Sequence, residues 1–145
     1  MVPAFDGDGN LPVGIHLVTW DEFANAFGGT AHRKRLLGGL EAAMDVLRIA
    51  GCKRIYIDGS FVTAKRVPND FDAAWEPAGV DLALLQSMEP VFFDFNNQRV
   101  AQKVKFLGEF FPSSAAADLV GRTFLEFFQV DKSTGDPKGI IALDL

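Results

Sequence analysis

The stretch that decides the fold covers residues 55–73 and reads Ile-Tyr-Ile-Asp-Gly-Ser-Phe-Val-Thr-Ala-Lys-Arg-Val-Pro-Asn-Asp-Phe-Asp-Ala. It begins inside a β-rich run, Arg54–Asp58, which predicts a strand that enters a tight turn at Gly59-Ser60. A polar loop follows and closes at Pro68-Asn69, and a second strand is predicted from Asp70 to Trp75. The order is therefore strand, turn, polar loop and strand.

Two acidic residues open the second predicted strand. Because side chains alternate along a strand, we expect Asp70 and Asp72 on one face, with Phe71 and Ala73 on the other face in the core. Two carboxylates about 7 Å apart on one strand face repel each other unless a cation neutralises them. Oxygen ligands of this kind suit Mg²⁺ or Mn²⁺, so the pair predicts a metal site.

The turn before the loop has the residues of a phosphate-binding element. Gly59 allows the backbone to approach an anion closely, and Ser60 adds a hydroxyl group and an N–H donor. Metal-binding carboxylates that face such a turn are what nucleotidyl transfer requires. The alternative is that Asp70 and Asp72 are solvated strand-edge acids and that Gly59-Ser60 is a plain turn.

The chain resembles the DNA polymerase β-type nucleotidyltransferase superfamily over Ile55–Ala73. The shared pattern is a hydrophobic strand, a Gly-Ser turn, a polar loop and an Asp-hydrophobic-Asp motif. With Leu11–His16 and Phe110-Phe111-Pro112, the wider chain is similar to a small uncharacterised bacterial family with that fold. The resemblance implies Mg²⁺ or Mn²⁺ and transfer of a nucleoside monophosphate from an NTP to a hydroxyl of a protein or tRNA. Some small members act in toxin–antitoxin or phage-defence pairs, so the alternative is a non-catalytic antitoxin or regulatory binding protein.

The resemblance also implies roles for individual residues. Asp70 and Asp72 would hold the metal, and the nucleotide would contact Gly59, Ser60, Thr63 and Lys65. The sequence departs from many small members in two ways: Thr63-Ala64 replaces an Arg-Gly pair, and Asp58 adds an acid beside Gly-Ser.

A third carboxylate on a neighbouring strand usually completes the superfamily's metal site. We assign it to Asp94 in the predicted strand Val91–Phe95, because an acid in so apolar a strand needs a partner. Asp81 and Asp144 are the alternatives for this role. Otherwise Asp94 caps the following helix.

The rest of the chain predicts one α+β domain, residues 1–145, with a short mixed sheet flanked by helices. Residues 1–18 are expected to form an extended arm. Capping residues, apolar spacing, glycines and prolines predict the other elements. They are a helix between Thr19 and Gly28, helices Ala31–Ala50, Asp81–Met88, Asn97–Phe111 and Ala115–Gln129, and a final strand Gly139–Leu145.

The composition of the chain argues against several classes of protein. A net charge of −5 argues against binding to duplex DNA, and the single cysteine, Cys52, excludes a disulfide framework. The sequence contains neither a membrane-length apolar run nor a signal peptide, so a cytoplasmic location is expected. The fourteen phenylalanines are interpreted as core. The chain has two basic sets, the run His32–Arg35 and the pair Arg99 and Lys103. Each is interpreted as a solvated helix surface, with phosphate binding as the alternative.

Overall fold

The computed structural model describes all 145 residues, Met1–Leu145, and folds them around one mixed five-stranded sheet. In chain order the strands are β1 (Gly14–Val18), β2 (Arg54–Asp58), β3 (Phe71–Trp75), β4 (Gly108–Pro112) and β5 (Gly139–Asp144). Across the sheet their order is β1-β5-β2-β3-β4. The outer pairs β1–β5 and β3–β4 are parallel, and the inner pairs β5–β2 and β2–β3 are antiparallel. The mixed α/β class is confirmed.

Five α-helices accompany the sheet. They are α1 (Trp20–Phe27), α2 (Ala31–Ile49), α3 (Leu82–Met88), α4 (Asn96–Phe106) and α5 (Phe124–Phe128). Short 3₁₀ turns cover Ser60–Val62 and Pro90–Phe93. None of the helices combines the length and the apolar character needed to span a bilayer.

The two faces of the sheet are covered unequally. On one face, side chains such as Ile57 and Ala73 join a core of 25 buried residues to which α1 to α4 contribute. On the other face, a smaller cluster of six buried residues packs against rings of α5. We call this second side the open face. Nine of the fourteen phenylalanines are buried, so aromatic packing of the core is confirmed.

Local signals account for the first helices. The side chains of Thr19 and Thr30 accept hydrogen bonds from the backbone N–H of Glu22 and Arg33, as N-caps of α1 and α2. Gly39, inside α2, is explained by packing. A Cβ atom there would lie 2.2 Å from the carbonyl oxygen of Phe106, so α4 approaches α2 too closely for any side chain.

Four expectations are wrong in detail. Residues 14–18 of the expected arm form β1, because they pair with β5. The predicted strand Val91–Phe95 is largely a 3₁₀ turn. The predicted helix Asn97–Phe111 is divided into α4 and strand β4, since Leu107 ends the helix in a left-handed conformation. Of the predicted helix Ala115–Gln129, only α5 is helical.

Candidate functional site

Three acidic side chains form a row across neighbouring strands on the open face. Asp58 on β2 is opposite Asp72 on β3, and Asp72 is opposite Glu109 on β4. Their sequence neighbours Ile57, Phe71 and Phe110 point into the main core, so the acids themselves point to the open face. We call Asp58, Asp72 and Glu109 the acid row.

The predicted alternation at the start of β3 is confirmed. Phe71 and Ala73 are fully buried in the main core, and Asp72 lies on the opposite face. Asp70 immediately precedes β3 and lines the same polar cleft as Asp72. The sequence interval between the two acids therefore places both in one polar cleft on the open face.

The Gly59-Ser60 turn lies directly against this row. Gly59 has φ of +87°, and a Cβ atom there would lie 3.2 Å from Asp72 Oδ2 and 3.3 Å from the Asp72 nitrogen. Only glycine combines this conformation with so close an approach. Beyond it, the hydroxyl of Thr63 donates to the carbonyl oxygen of Ser60 over 2.6 Å, which closes the 3₁₀ turn.

A cleft of about 380 Å³ opens over the turn, and its lining contains no apolar residue. It is lined by Asn10, Asp58, Gly59, Ser60, Thr63, Asp70, Asp72, Asp131, Lys132, Ser133 and Lys138. One wall joins two distant loops, because the Asn10 amide donates to Asp131 Oδ2 over 3.0 Å. The cleft is therefore bounded by both ends of the chain and by the central turn.

Burial and mutual repulsion raise the pKa values of the acids in the cleft. Burial, reinforced by the charges of Glu109, Asp58 and Asp70, raises the pKa of Asp72 to about 7, although Lys132 opposes the shift. Burial, with Glu109 nearby, also raises the pKa of Asp70. The same desolvation raises the pKa of Asp58, against the opposing charge of Lys138. Such a group of acids favours a cation beside it.

Lysines supply part of that positive charge. Lys138 Nζ lies 2.7 Å from Asp58 Oδ1, an ion contact without hydrogen-bond geometry, and both side chains are largely buried. Lys103 Nζ lies 3.3 Å from Glu109 Oε1. Lys132 lines the cleft and makes no ion pair of its own. The acids are thus partly neutralised by side chains of the same chain.

The donor set suits a hard divalent cation, since it consists of carboxylates that repel one another. The acids are not gathered as a ready-made ligand set, because no three such side chains already meet at metal-ligand spacing. The carboxylates whose charges act on each other across β3 and β4 are those of Asp70, Asp72 and Glu109. They are the residues that would hold the metal.

The structure places Asp94 outside this cleft. It follows the 3₁₀ turn, and its Oδ1 accepts a hydrogen bond from the N–H of Asn96 over 3.1 Å, at the first residue of α4. This contact spans two residues at the start of α4, whose N-cap is Phe95, so Asp94 closes a local turn and does not supply a side-chain cap to the helix. The alternatives are also engaged elsewhere: Asp81 caps α3, and Asp144 pairs with Arg54.

Glu109 is the acid that sequence reasoning missed. It lies within Gly108–Pro112, where a single acid is surrounded by apolar residues, the same pattern as at Asp72. Gly108 was the available signal, because a glycine commonly follows the last residue of a helix. Ending the predicted helix there would have made the following residues a candidate strand.

Lys65 does not reach the cleft of the acid row. Its side chain lines a separate cavity of about 390 Å³, together with Phe5 and Arg66. Its charge still acts on Asp70, so the residue contributes to the electrostatics of the site from outside. Thr63 lines both cavities.

Arg33 is a second residue that the sequence interpretation undervalued. It is 8% exposed, whereas a solvated helix start was the favoured interpretation of the basic run. Its guanidinium group donates to four backbone carbonyls at 2.6–3.3 Å and lies 4.9 Å from the ring centre of Phe61. The accepting carbonyls belong to Phe27, Phe61, Thr63 and Lys65. Arg33 therefore fixes the loop that leaves the Gly59-Ser60 turn.

The fold and site define an α/β protein with acids and a glycine-serine turn at one end of a mixed sheet. The chain belongs to a family described as "Family of unknown function (DUF6932)", which matches residues 3–144. No curated protein and no solved structure matches it.

Proposed function

We propose that the protein is a metal-dependent nucleotidyltransferase with a nucleotidyltransferase-like fold. It would transfer a nucleoside monophosphate from an NTP to a hydroxyl group and release pyrophosphate. One observation carries this proposal: Asp70 and Asp72 line one polar cleft with the Gly59-Ser60 turn, and Glu109 lies opposite Asp72 on β4, on the same face of the sheet. Carboxylates next to a phosphate-binding turn suit this chemistry.

The side chains divide into two groups by their position. On one side, the Ser60 hydroxyl and the backbone of Gly59-Ser60 would orient the triphosphate, with Lys132 and Lys138 facing its negative charge. On the other side, Asp70, Asp72 and Glu109 would hold Mg²⁺ or Mn²⁺. A bound divalent ion supplies charge neutralisation for the phosphates and activation of the attacking oxygen.

The reaction needs the acceptor oxygen in line with the bond to the pyrophosphate. The new bond forms between this oxygen and the α-phosphorus, and the bond to the β-phosphate oxygen breaks. Glu109 is the member of the acid row that lies farthest from the Gly59-Ser60 turn, and its carboxylate would accept the proton of the acceptor hydroxyl. In this assignment Glu109 takes the role first expected for Asp94.

A non-catalytic binding protein is the second candidate function. The pairing of lysines with Asp58 and Glu109, and the lack of a ready-made ligand set, favour it. In that case the cleft would bind a nucleotide or a partner's anionic group without transfer. An antitoxin or regulatory partner in a toxin–antitoxin or phage-defence pair would act in this way.

The decisive experiment measures NTP binding by calorimetry, with Mn²⁺ and with EDTA, and then transfer of radiolabelled NTPs in a bacterial lysate. The test variant is Asp70→Asn with Asp72→Asn. The matched control is Asp21→Asn with Asp45→Asn, since both of these acids are exposed on helices away from the cleft. We expect metal-dependent binding and labelling with the native protein and the control, and neither with the test variant.

Two results would contradict the proposal. Undiminished metal-dependent binding by the test variant would remove Asp70 and Asp72 from the site. Nucleotide binding without labelling of any macromolecule, across all four NTPs, would favour the binding protein over the enzyme.

A further inference from the structure

A left-handed turn lies beside the acid row. Asn97, Gln98 and Arg99 have φ values of 50°, 57° and 60°, inside the segment of α4. Three consecutive residues with side chains rarely adopt this conformation, because the Cβ atom crowds the following carbonyl oxygen. Strained backbone persists where the surroundings hold it, and it is concentrated at functional sites.

The residues that follow anchor this turn. The buried amide of Gln102 donates to the carbonyl oxygen of Val91 over 3.1 Å and accepts from the N–H of Phe110 over 2.8 Å. Gln102 thereby joins the 3₁₀ turn, α4 and β4. Gln102 therefore fixes the segment that follows the left-handed turn.

Arg99 is the last residue of the left-handed turn, and its side chain packs against aromatic rings. Its guanidinium carbon lies 4.0 Å from the ring centre of Phe111, 4.7 Å from that of Phe95 and 6.0 Å from that of Phe124. Its Nε is buried without a hydrogen-bond partner, and it forms no ion pair. The charges of Glu109 and Asp72 act on it. Aromatic rings thus hold an unpaired cation next to the acid row.

A second unpaired cation, Lys132, lies near another ring of helix α5. Lys132 Nζ lies 5.7 Å from the ring centre of Phe127 and also lines the cleft of the acid row. Phe124 and Phe127 both belong to α5, and Phe95 is 48% exposed. Rings and unpaired cations therefore alternate along the open face. We call Phe95, Arg99, Phe124, Phe127 and Lys132 the cation–ring surface.

We propose that the cation–ring surface binds the acceptor of the reaction, and that this acceptor is the end of a single-stranded nucleic acid. The proposal rests on the proposed function, because it names the acceptor class of that site. Arg99 would contact a phosphate through the terminal N–H groups of its guanidinium, and the exposed ring of Phe95, with the partly buried rings of Phe124 and Phe127, would stack with bases. The end of the strand would then lie beside Glu109.

The chemistry favours a nucleic acid over a protein acceptor. Single strands are bound by rings that accept any base and by cations that follow the phosphates. A peptide would instead require backbone pairing or pockets for its side chains. The net charge of −5 does not oppose this, because the unpaired cations are local to the acid row. The negative net charge predicts that binding of the nucleic acid is weak and sensitive to salt.

The test is fluorescence anisotropy with labelled single-stranded RNA and DNA of about ten nucleotides, a length typical of such sites. It is performed at several salt concentrations, without NTP. The variants are Arg99→Gln and Lys132→Gln, and the second changes an exposed side chain. The matched control is Arg48→Gln, which removes the same charge from the exposed Arg48–Asp45 pair on α2.

We expect at least one of the two oligonucleotides to bind, with affinity about tenfold lower in each test variant and unchanged in the control. Each test variant should also reduce the salt dependence of log Kd by about one charge. The inference would be overturned if neither oligonucleotide binds, or if all variants bind the oligonucleotides equally well. So would transfer of label in a lysate to a species destroyed by protease but not by nuclease.

The failure of this inference can be distinguished from the failure of the proposed function. Metal-dependent NTP binding that depends on Asp70 and Asp72, without oligonucleotide binding, would overturn only the acceptor class. Oligonucleotide binding that depends on Arg99, without any NTP binding, would leave the cation–ring surface as a nucleic-acid site and remove the transferase.

Discussion

Asp72 and Glu109 occupy matched positions on the parallel strands β3 and β4, and both point to the open face. Like charges in directly opposite positions destabilise a sheet, so the pair is a poor choice for stability alone. A function that binds a cation explains it. The relationship also makes Glu109 the candidate for the third acid of the proposed site.

We predict that Glu109→Gln abolishes nucleotidyl transfer, whereas Asp94→Asn preserves it. Glu109 lies opposite Asp72, whereas Asp94 only accepts a local hydrogen bond from the N–H of Asn96. Loss of a metal-binding carboxylate should reduce the transfer rate by at least about a hundredfold. The measurement is incorporation of radiolabelled NTP, with melting curves to show that both variants fold. A Glu109→Gln variant with normal transfer, or an inactive Asp94→Asn variant, would restore Asp94 to the site.

The raised pKa of Asp72 predicts a stability that depends on pH. The ordinary value is 3.8 and the folded value is about 7, so within this range the folded protein holds a proton that the unfolded chain has released. In metal-free protein the free energy of unfolding should therefore fall as the pH rises from about 4 to about 7, with a slope of up to about 1.4 kcal/mol per pH unit. Below that window both states are protonated, and above it both are ionised.

Urea unfolding in EDTA at several pH values measures this slope. The free energy of unfolding of Asp72→Asn should change less with pH between about 4 and about 7 than that of the native protein. The variant should also be more stable than the native protein near neutral pH, since the amide cannot ionise. Asp21→Asn is the control, because Asp21 is exposed on α1. Equal slopes for Asp72→Asn and the native protein would contradict the assignment of the titration to Asp72.

The parts of the site that could be predicted are those fixed by short-range pattern. Alternation along β3 placed Asp70 and Asp72 without any knowledge of the tertiary fold, and the Gly59-Ser60 turn follows its strand directly. Glu109 depends instead on where α4 ends and on pairing between β3 and β4, strands separated by two helices. Arg33 contacts carbonyls about thirty residues away, which helical spacing cannot indicate.

Lys103 should compete with the metal for Glu109. Its ammonium group lies 3.3 Å from Oε1, where it neutralises the acid in the absence of a divalent ion. Lys103→Gln should therefore bind Mn²⁺ about two- to fivefold more tightly, the range expected for a partly exposed ion pair. Electron paramagnetic resonance of free Mn²⁺ measures the affinity. Lys105→Gln is the control, since Lys105 pairs with Glu89 instead. Unchanged or weaker Mn²⁺ binding by Lys103→Gln would exclude the competition.

Arg33 should be essential for the loop that carries Thr63. Arg33→Ala leaves four backbone carbonyls without their donor and should lower the free energy of unfolding by roughly 2–4 kcal/mol. Arg33→Lys should recover little of this, because an ammonium group cannot reproduce the planar fork that spans Phe61 and Lys65.

The matched control for Arg33→Ala is Lys34→Ala, which removes the adjacent exposed cation and should cost less than about 0.5 kcal/mol. Urea unfolding gives the stabilities, and calorimetry gives NTP affinity under conditions where all variants are folded. We expect Arg33→Lys to bind NTP more weakly than Lys34→Ala, since the Gly59-Ser60 turn continues into the loop that Arg33 fixes. If Arg33→Lys matches the native protein in both measurements, the four carbonyl contacts do not fix the loop.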